Sequence, residues 1–254
     1  GNAIQRGNPA LEYVLDKQIP YRSMPEIVRE EIVKNKTSIV VAGTSGKTTT
    51  AALLAWVLKG AGLKPAAFIG GIMKNTNTGF MAGSGKYAVV EGDEYNSSFF
   101  DLSPKFLHYS PYHAIITNIQ PDHLDIYGNI ENVFKAFQKL IRIIPEAGSL
   151  ILNNANQYTS AAKKDSRSRI MTFGKNGDIW ANGIKLTPDG LSFIVFSGAR
   201  RLGEIKSRLL GKHNVENMLA AFALAFELKI PFKKIAKAIT TFKGVKRRLE
   251  VIHN

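Results

Sequence analysis

The sequence contains no cysteine, which excludes disulfide bonds, thiolate metal sites and a thiol nucleophile. It also lacks any apolar run near the roughly 20 residues that a membrane-spanning helix needs. The longest such run, residues 218–226, predicts only part of a buried helix. Residues 1–9 show no charged segment followed by an apolar stretch, so we expect no signal peptide. These absences predict a cytoplasmic protein without a membrane partner.

Acidic residues are scarce relative to basic ones, and the formal net charge is +14. A surplus of this size makes a polyanion such as nucleic acid a partner to be considered. Eight basic residues lie between Lys229 and Arg248, and no acidic residue occurs between Glu227 and Glu250. Apolar residues of this stretch fall at helical spacing: Ile235, Ala236, Ile239 and Phe242. The lysines among them are therefore predicted to be solvated helix surface, and we expect no nucleic-acid partner.

Short β-branched runs alternate with longer helical stretches, which is typical of an α/β fold. Buried strands are predicted at 37–42, 65–70, 87–90, 113–119 and 149–152. Helices are predicted at 9–18, 24–33, 48–59, 130–143, 215–228 and 232–241. A stretch rich in Asn, Thr and Gly, residues 71–85, predicts a long loop.

A change of pattern in the second half predicts a small antiparallel sheet. Short strand-like runs lie at 170–173, 178–186, 191–196 and 204–209. Turn signals separate them at Asn176-Gly177 and at Pro188-Asp-Gly190. The sequence therefore predicts a mostly parallel sheet flanked by helices, with a small antiparallel β subdomain.

A turn of small residues joins the first predicted strand to a strong helix, with the sequence Gly43-Thr-Ser-Gly-Lys-Thr-Thr-Thr50. This strand, turn and helix are the context that a phosphate-binding loop requires, although the generic pattern has glycine in place of Val41. Lys47 supplies a cation for the phosphates, and the Thr48 hydroxyl suits magnesium. We predict a P-loop NTPase-like fold that binds nucleotide through this loop. The loop residues concerned are Gly43, Thr44, Ser45, Gly46, Lys47, Thr48 and Thr49.

Carboxylates and one histidine follow two further predicted strands. Glu91 comes directly after the strand at 87–90, and Asp122, His123 and Asp125 follow the strand at 113–119. Open α/β sheets bind ligands at the carboxyl ends of their strands, so we expect these side chains at one edge. The alternative is that they cap helices or bind water. Magnesium prefers oxygen ligands, so composition alone does not nominate His123.

Five motifs in this order resemble those of a known family. They are the Gly43 loop, Glu91-Gly-Asp-Glu94, Thr117-Asn118 with Pro121-Asp-His-Leu-Asp125, Gly211-Lys-His-Asn-Val-Glu-Asn217 and Arg247-Arg-Leu-Glu250. Together they resemble the Mur ligases, relatives of folylpolyglutamate synthetase. The resemblance implies an enzyme that uses ATP and Mg²⁺ to join a carboxylate to an amine through an acyl phosphate.

The resemblance also implies the catalytic and metal-binding residues. It makes Lys47, Glu91 and His123 the catalytic set, with Thr48, Glu91 and His123 as ligands of the metal sites. Several Mur ligases carry a carbamylated lysine after the histidine motif. The matching position here is Phe137, so that feature is expected to be absent.

The resemblance further implies how the rest of the nucleotide is held. Asn214 and Asn217, with His213 beside them, resemble the adenine-binding pair. Without the resemblance they are only polar residues at the start of a helix, where caps are common. Arg247 or Arg248 resembles the hinge arginine that reaches the nucleotide.

Residues 1–8, 94–101 and 105–109 most resemble the branch that joins L-alanyl-γ-D-glutamyl-meso-diaminopimelate to UDP-N-acetylmuramate in peptidoglycan recycling. The branch that adds L-alanine to the same sugar nucleotide is an open alternative. A basic phosphate-loop protein that binds nucleic acid is the alternative from another class. The resemblance predicts residues 1–21 as the exit from an N-terminal UDP-sugar domain and 22–246 as a central ATP-binding domain. Residues 247–254 are predicted to be a hinge into a C-terminal domain, and both outer domains are expected partners.

Overall fold

The computed structural model describes residues 4–249, apart from the side chains of Leu124 and Asp125. The strands are β1 (Thr37–Ala42), β2 (Ala66–Met73), β3 (Thr78–Met81), β4 (Tyr87–Glu91), β5 (His113–Ile116), β6 (Ser149–Asn153), β7 (Arg169–Phe173), β8 (Ile179–Thr187), β9 (Gly190–Ser197) and β10 (Arg200–Ser207). The α-helices are α1 (Pro9–Asp16), α2 (Met24–Val28), α3 (Lys47–Gly60), α4 (Leu124–Tyr127), α5 (Ile130–Arg142), α6 (Gln157–Ala162), α7 (His213–Glu227) and α8 (Phe232–Thr241). A π-helical turn at Arg29–Val33 and 3-10 turns at Lys105–Tyr109 and Lys163–Asp165 complete the helical segments of this range. None of the described helices combines the length and apolarity that crossing a membrane would require.

All ten strands form one sheet, in the order β10-β9-β8-β7-β6-β5-β1-β4-β2-β3. The neighbouring strands from β8 to β2 in this order pair in parallel, and β3 pairs antiparallel with β2 at one edge. At the other edge β9 pairs antiparallel with β8, and β10 pairs antiparallel with β9. In the centre Val41 of β1 lies opposite both Glu91 of β4 and Ile115 of β5. Parallel strands end at a common edge, so the phosphate loop, Glu91 and the residues after β5 converge there. The predicted fold class is confirmed.

Strand β7 belongs to the parallel part of the sheet, not to the antiparallel part where the turn pattern had placed it. It pairs in parallel with β6 over its whole length. Its link to β8 is one registered pair, Phe173 with Ile179. The short apolar run of β7 does not by itself indicate which strand it pairs with. Its direction depends on the connection from β6 through helix α6, and the sequence did not predict that helix.

The predicted loop at 71–85 is largely a β-hairpin. Strand β2 extends to Met73, and β3 returns beside it. Gly79 allows the close approach, because a Cβ there would lie 2.6 Å from the Ile69 carbonyl oxygen and 2.7 Å from that of Gly71. Because this segment is rich in residues typical of turns, the sequence did not predict the strand at this edge of the sheet.

Two apolar layers enclose the sheet. One contains buried side chains of α3, α7 and α8, such as Leu54, Phe222 and Ile235. The other is built on α5, where apolar residues repeat at helical spacing and include Phe137 and Leu140. Phe137 is completely buried, with its ring 5.5 Å from that of Phe106. The position that the resemblance matches to a carbamylated lysine is therefore a core position in this chain.

Candidate nucleotide site

The phosphate loop lies between β1 and α3, as predicted, and two of its glycines have no room for a side chain. Gly43 has φ +128°, and a Cβ there would lie 2.1 Å from Thr117 Oγ1. Gly46, at the start of α3, has φ +83°, and its Cβ would lie 2.3 Å from Asn217 Oδ1. Both angles favour glycine, and both positions lack space. The loop is thus packed against β5 on one side and α7 on the other.

Residues after β5 hold the outer side of the loop. The Thr117 hydroxyl donates to the Ser45 carbonyl at 2.6 Å. The Asn118 side chain accepts from the Ser45 N–H at 2.9 Å and donates to the Ser45 hydroxyl at 2.7 Å. The Thr117-Asn118 motif therefore shapes the phosphate loop, a role that the sequence did not predict.

Lys47 is held by the loop itself and by a buried carboxylate. Its Nζ donates to the carbonyls of Gly43 at 2.8 Å and Thr44 at 3.3 Å. It also contacts Glu94, with Nζ–Oε distances of 2.8 and 3.1 Å. The Glu94 side chain is only 1% exposed, and burial raises the pKa of its carboxyl while Lys47 opposes that shift. Sequence reasoning missed Glu94 as a site residue, although the acidic motif that contains it was the available signal.

Thr48 and Glu91 meet at the first turn of α3. The Thr48 hydroxyl donates to Glu91 Oε1 at 2.6 Å, and Glu91 Oε2 accepts the Gly70 N–H at 2.6 Å. A hydroxyl and a carboxylate side by side are hard oxygen donors, which Mg²⁺ prefers. These two predicted metal ligands are therefore together, and their chemistry fits the ion.

His123 lies on the far side of Glu94. Its Nε2 is 3.4 Å from Glu94 Oε1, and its ring centroid is 4.1 Å from that of Tyr95. Its backbone has φ +50°, and the Tyr127 hydroxyl donates to the Glu94 carbonyl at 2.6 Å. His123 is thus linked to Lys47 through Glu94, but it is not beside Thr48 and Glu91. The side chain of Asp125 lies outside the described part.

The start of α7 faces the loop through a chain of amides. Asn217 Nδ2 donates to Asn214 Oδ1 at 2.9 Å, and Asn214 Nδ2 donates to the Leu210 carbonyl at 2.7 Å. On the loop side, the Thr50 hydroxyl donates to Asn217 Oδ1 at 3.4 Å. The two asparagines thus fix the first turn of α7 to the phosphate loop.

These elements enclose a cavity of about 460 Å³, within the usual range of small-molecule sites. The predicted nucleotide residues that line it are Thr44, Ser45, Gly46, Lys47, Thr48, Thr49, His213, Asn214, Asn217, Arg247 and Arg248. Glu91 lines it too. Gly43 and His123 do not line it, and His123 contacts Glu94 instead.

The fold and this cavity define an α/β protein of the phosphate-loop class. Residues 41–225 match the family model described as the Mur ligase middle domain. The chain belongs to the Mur ligase family, as its ordered motifs predicted.

Relatives from two branches of that family resemble the chain. It is 37% identical over 253 residues to the UDP-N-acetylmuramate-L-alanyl-gamma-D-glutamyl-meso-2,6-diaminoheptandioate ligase of Haemophilus influenzae, covering 99% of this chain and 55% of that protein. It is 40% identical over 251 residues to the UDP-N-acetylmuramate-L-alanine ligase of Endomicrobium trichonymphae, covering 98% and 54%. A solved murein peptide ligase of Psychrobacter arcticus superposes with a TM-score of 0.84 at 32% identity, covering 100% of this chain and 56% of that one. The chain spans about half the length of the curated relatives it matches.

Proposed function

We propose that this chain is the ATP-binding part of a ligase that joins a peptide to the carboxylate of UDP-N-acetylmuramate through an acyl phosphate. The observation that carries the proposal is that one cavity collects the phosphate loop, Glu91, the asparagines of α7 and the two arginines. These residues come from separate parts of the sequence, and the family resemblance nominated each of them for the nucleotide or for its metal.

The residues would divide the work by chemistry. The loop N–H groups and Lys47 would bind the phosphates, while Asn214 and Asn217 would hold the base. Thr48 and Glu91 would hold Mg²⁺, which, when bound, neutralises charge on the transferring phosphoryl group. His123 stays a proposed ligand of a further metal position, and Glu94 would neutralise the Lys47 ammonium when no phosphate is bound.

The substrates are proposed from the two sets of relatives. A preformed tripeptide is favoured by the likeness to the Haemophilus influenzae and Psychrobacter arcticus ligases. L-alanine is the second candidate, because the Endomicrobium trichonymphae ligase is 40% identical. Full-length protein given UDP-N-acetylmuramate with either amine would separate them, since product from alanine alone contradicts the tripeptide assignment.

The division into parts is likewise a proposal. Residues 1–21 would leave a UDP-sugar domain, 22–246 would form the ATP-binding domain, and 247–254 would lead into a C-terminal domain. It is supported by the alignment with the Haemophilus influenzae relative, which covers 99% of this chain but only 55% of that protein. A cytoplasmic location follows from the same proposal, because sugar nucleotides and ATP are cytoplasmic substrates.

Calorimetric titration with ATP and Mg²⁺ tests the nucleotide site. We expect Lys47→Ala to weaken binding at least about tenfold, since a charge-assisted phosphate contact contributes 1.5–3 kcal/mol. Lys139→Ala, on the exposed side of α5, is the matched control and should bind normally. Equal affinity of both variants would remove Lys47 from the site. Tighter binding of an oligonucleotide than of ATP, falling steeply with salt, would favour the nucleic-acid alternative.

A further inference from the structure

Two segments of the chain carry no acidic residue. Neither Asp nor Glu occurs between Glu31 and Glu91, or between Glu227 and Glu250. The first segment holds seven lysines and the second eight basic residues. Arginine occurs in them only at Arg247 and Arg248, which line the nucleotide cavity. Everywhere else in both segments the positive charge is lysine.

The fold packs these two segments against each other. Helix α8 lies along α3: Trp56 Nε1 donates to the Thr241 hydroxyl at 3.0 Å, and Lys234 Nζ reaches the Ala61 carbonyl at 3.5 Å. The turn between β2 and β3 joins them, because Asn75 donates to the Thr241 carbonyl at 2.9 Å. The side-chain oxygen of Asn75 also accepts a hydrogen bond from the backbone N–H of Lys243 at 2.7 Å. Charges far apart in sequence therefore share one side of the molecule.

We name this surface the lysine face. It is defined by exposed side chains on α3, α8 and the segments that follow them: Lys59, Lys64, Lys233, Lys234, Lys237 and Lys243. Within the described residues, none of the six ammonium groups takes part in an ion pair. Strand β10, which packs against α8, adds Arg200, Arg201 and Lys206 against one carboxylate, that of Glu204. The face is strongly cationic and nearly uniform in sign.

One large apolar side chain projects among these lysines. Phe80 of β3 is 46% exposed. It shares a surface groove of about 390 Å³ with Lys59, Lys64 and Met81. Amphipathic membrane-binding surfaces combine basic groups with apolar side chains that enter the boundary between headgroups and acyl chains.

We propose that the lysine face docks the protein onto a membrane surface that carries anionic phospholipids. Seven of the nine basic side chains on the lysine face and the adjoining strand β10 are lysine, and Arg200 and Arg201 are the other two. Lysine is a compact, hydrated point charge, whereas arginine is the residue preferred for bidentate recognition of nucleic-acid phosphates. Juxtaposed lysines gain about 1 kcal/mol each near an anionic leaflet. The exposed Phe80 suits a lipid boundary. This proposed surface contact departs from the expectation of no membrane partner, which came from the absence of a spanning helix.

Vesicle co-flotation of the full-length protein tests the proposal. The probes are vesicles of phosphatidylcholine alone and of phosphatidylcholine with one third phosphatidylglycerol. We expect binding only to the anionic vesicles, with a steep loss at high salt. The double variant Lys233→Glu with Lys237→Glu should lower the partition coefficient about tenfold or more. Phe80→Ser should lower it several-fold without changing the salt dependence.

The matched control is Lys135→Glu with Lys139→Glu on α5, which covers the opposite side of the sheet. It makes the same change of net charge on an exposed helix surface, and it should bind like the wild type. An equal loss in both double variants would overturn the lysine face in favour of net charge alone. Binding of a 20-nucleotide DNA strand but not of the anionic vesicles would overturn it in favour of nucleic acid. Circular dichroism and ATP titration of each variant confirm that the fold is retained.

Discussion

The buried pair of Lys47 and Glu94 has opposite consequences for folding and for nucleotide binding. Glu94→Gln keeps the shape but leaves the Lys47 ammonium without its carboxylate. We expect the free energy of unfolding to fall by about 1–3 kcal/mol, because a buried charge loses its partner. ATP should bind several-fold more tightly, since a fixed anion no longer competes with the phosphates for Lys47. Thermal melts and ATP titration measure both, and weaker ATP binding would instead make Glu94 a direct ligand of the nucleotide–metal complex.

His113, the first residue of β5, should make stability depend on pH. Burial, helped by the charges of Lys86 and Arg169, lowers its pKa from 6.5 to about 4. Between these values the unfolded chain binds the proton and the folded chain does not, so stability falls as pH falls. The difference corresponds to ~3 kcal/mol over the whole window. Urea unfolding from pH 7 to 4 measures it, and a His113→Leu variant should lose this component of the pH dependence.

At the residue scale the sequence predicted the residues that line the cavity better than the residues that support them. Lys47, Thr48, Glu91 and the α7 asparagines were nominated by motif and line the cavity. Glu94 was missed because its role depends on being buried beside Lys47, and burial of a carboxylate cannot be inferred from its neighbours in sequence. Supports of this kind depend on tertiary contacts, so a single sequence does not reveal them.

At the scale of elements, the strand ends determine which of the predicted metal ligands lie side by side. Glu91 ends β4 beside Thr48, whereas His123 follows β5 and sits behind Glu94. We expect Glu91→Ala and His123→Ala each to impair Mg²⁺-dependent turnover of the full-length enzyme more than they impair folding. Varying Mg²⁺ at saturating ATP measures this effect as a raised metal requirement. If turnover stays normal while stability falls by roughly 1 kcal/mol, the residue concerned is a structural cap.

Helices with clear apolar periodicity were predicted well, whereas strands whose assignment depends on pairing with other strands were not. Helices α3, α7 and α8 were recognised from their apolar spacing, with small shifts at the ends. Strand β3 was read as loop, because its Thr and Gly are typical of turns and its pairing with β2 is a tertiary contact. The direction of β7 was misassigned for the same reason.

At the scale of the whole molecule, nucleotide binding and ligation should be separable. Residues 1–254 alone are expected to bind ATP and to hydrolyse it slowly, without forming amide. Ligation needs the sugar carboxylate and the amine held in line with the phosphoryl group, and such positioning accounts for roughly 7–11 kcal/mol of barrier. Mass spectrometry after incubation with ATP, Mg²⁺, UDP-N-acetylmuramate and tripeptide tests this. Amide formed at an ordinary enzymatic rate would show that this chain positions both substrates itself.

The narrow junction between β7 and β8 has a consequence for how the protein opens. One registered pair joins the outer strands to the parallel sheet, and helix α7 packs across β6, β7 and β8 while its first turn supplies Asn214 and Asn217 to the nucleotide cavity. Local opening of the outer strands would therefore remove the support of α7 and disturb the cavity. Because ligand binding opposes any opening that destroys its site, saturating ATP and Mg²⁺ should slow amide hydrogen exchange in β9 and β10. At a hundredfold excess over Kd the slowing would approach about a hundredfold. Neither strand lines the cavity, so this protection would report that the far edge of the sheet and the nucleotide site melt as one cooperative unit.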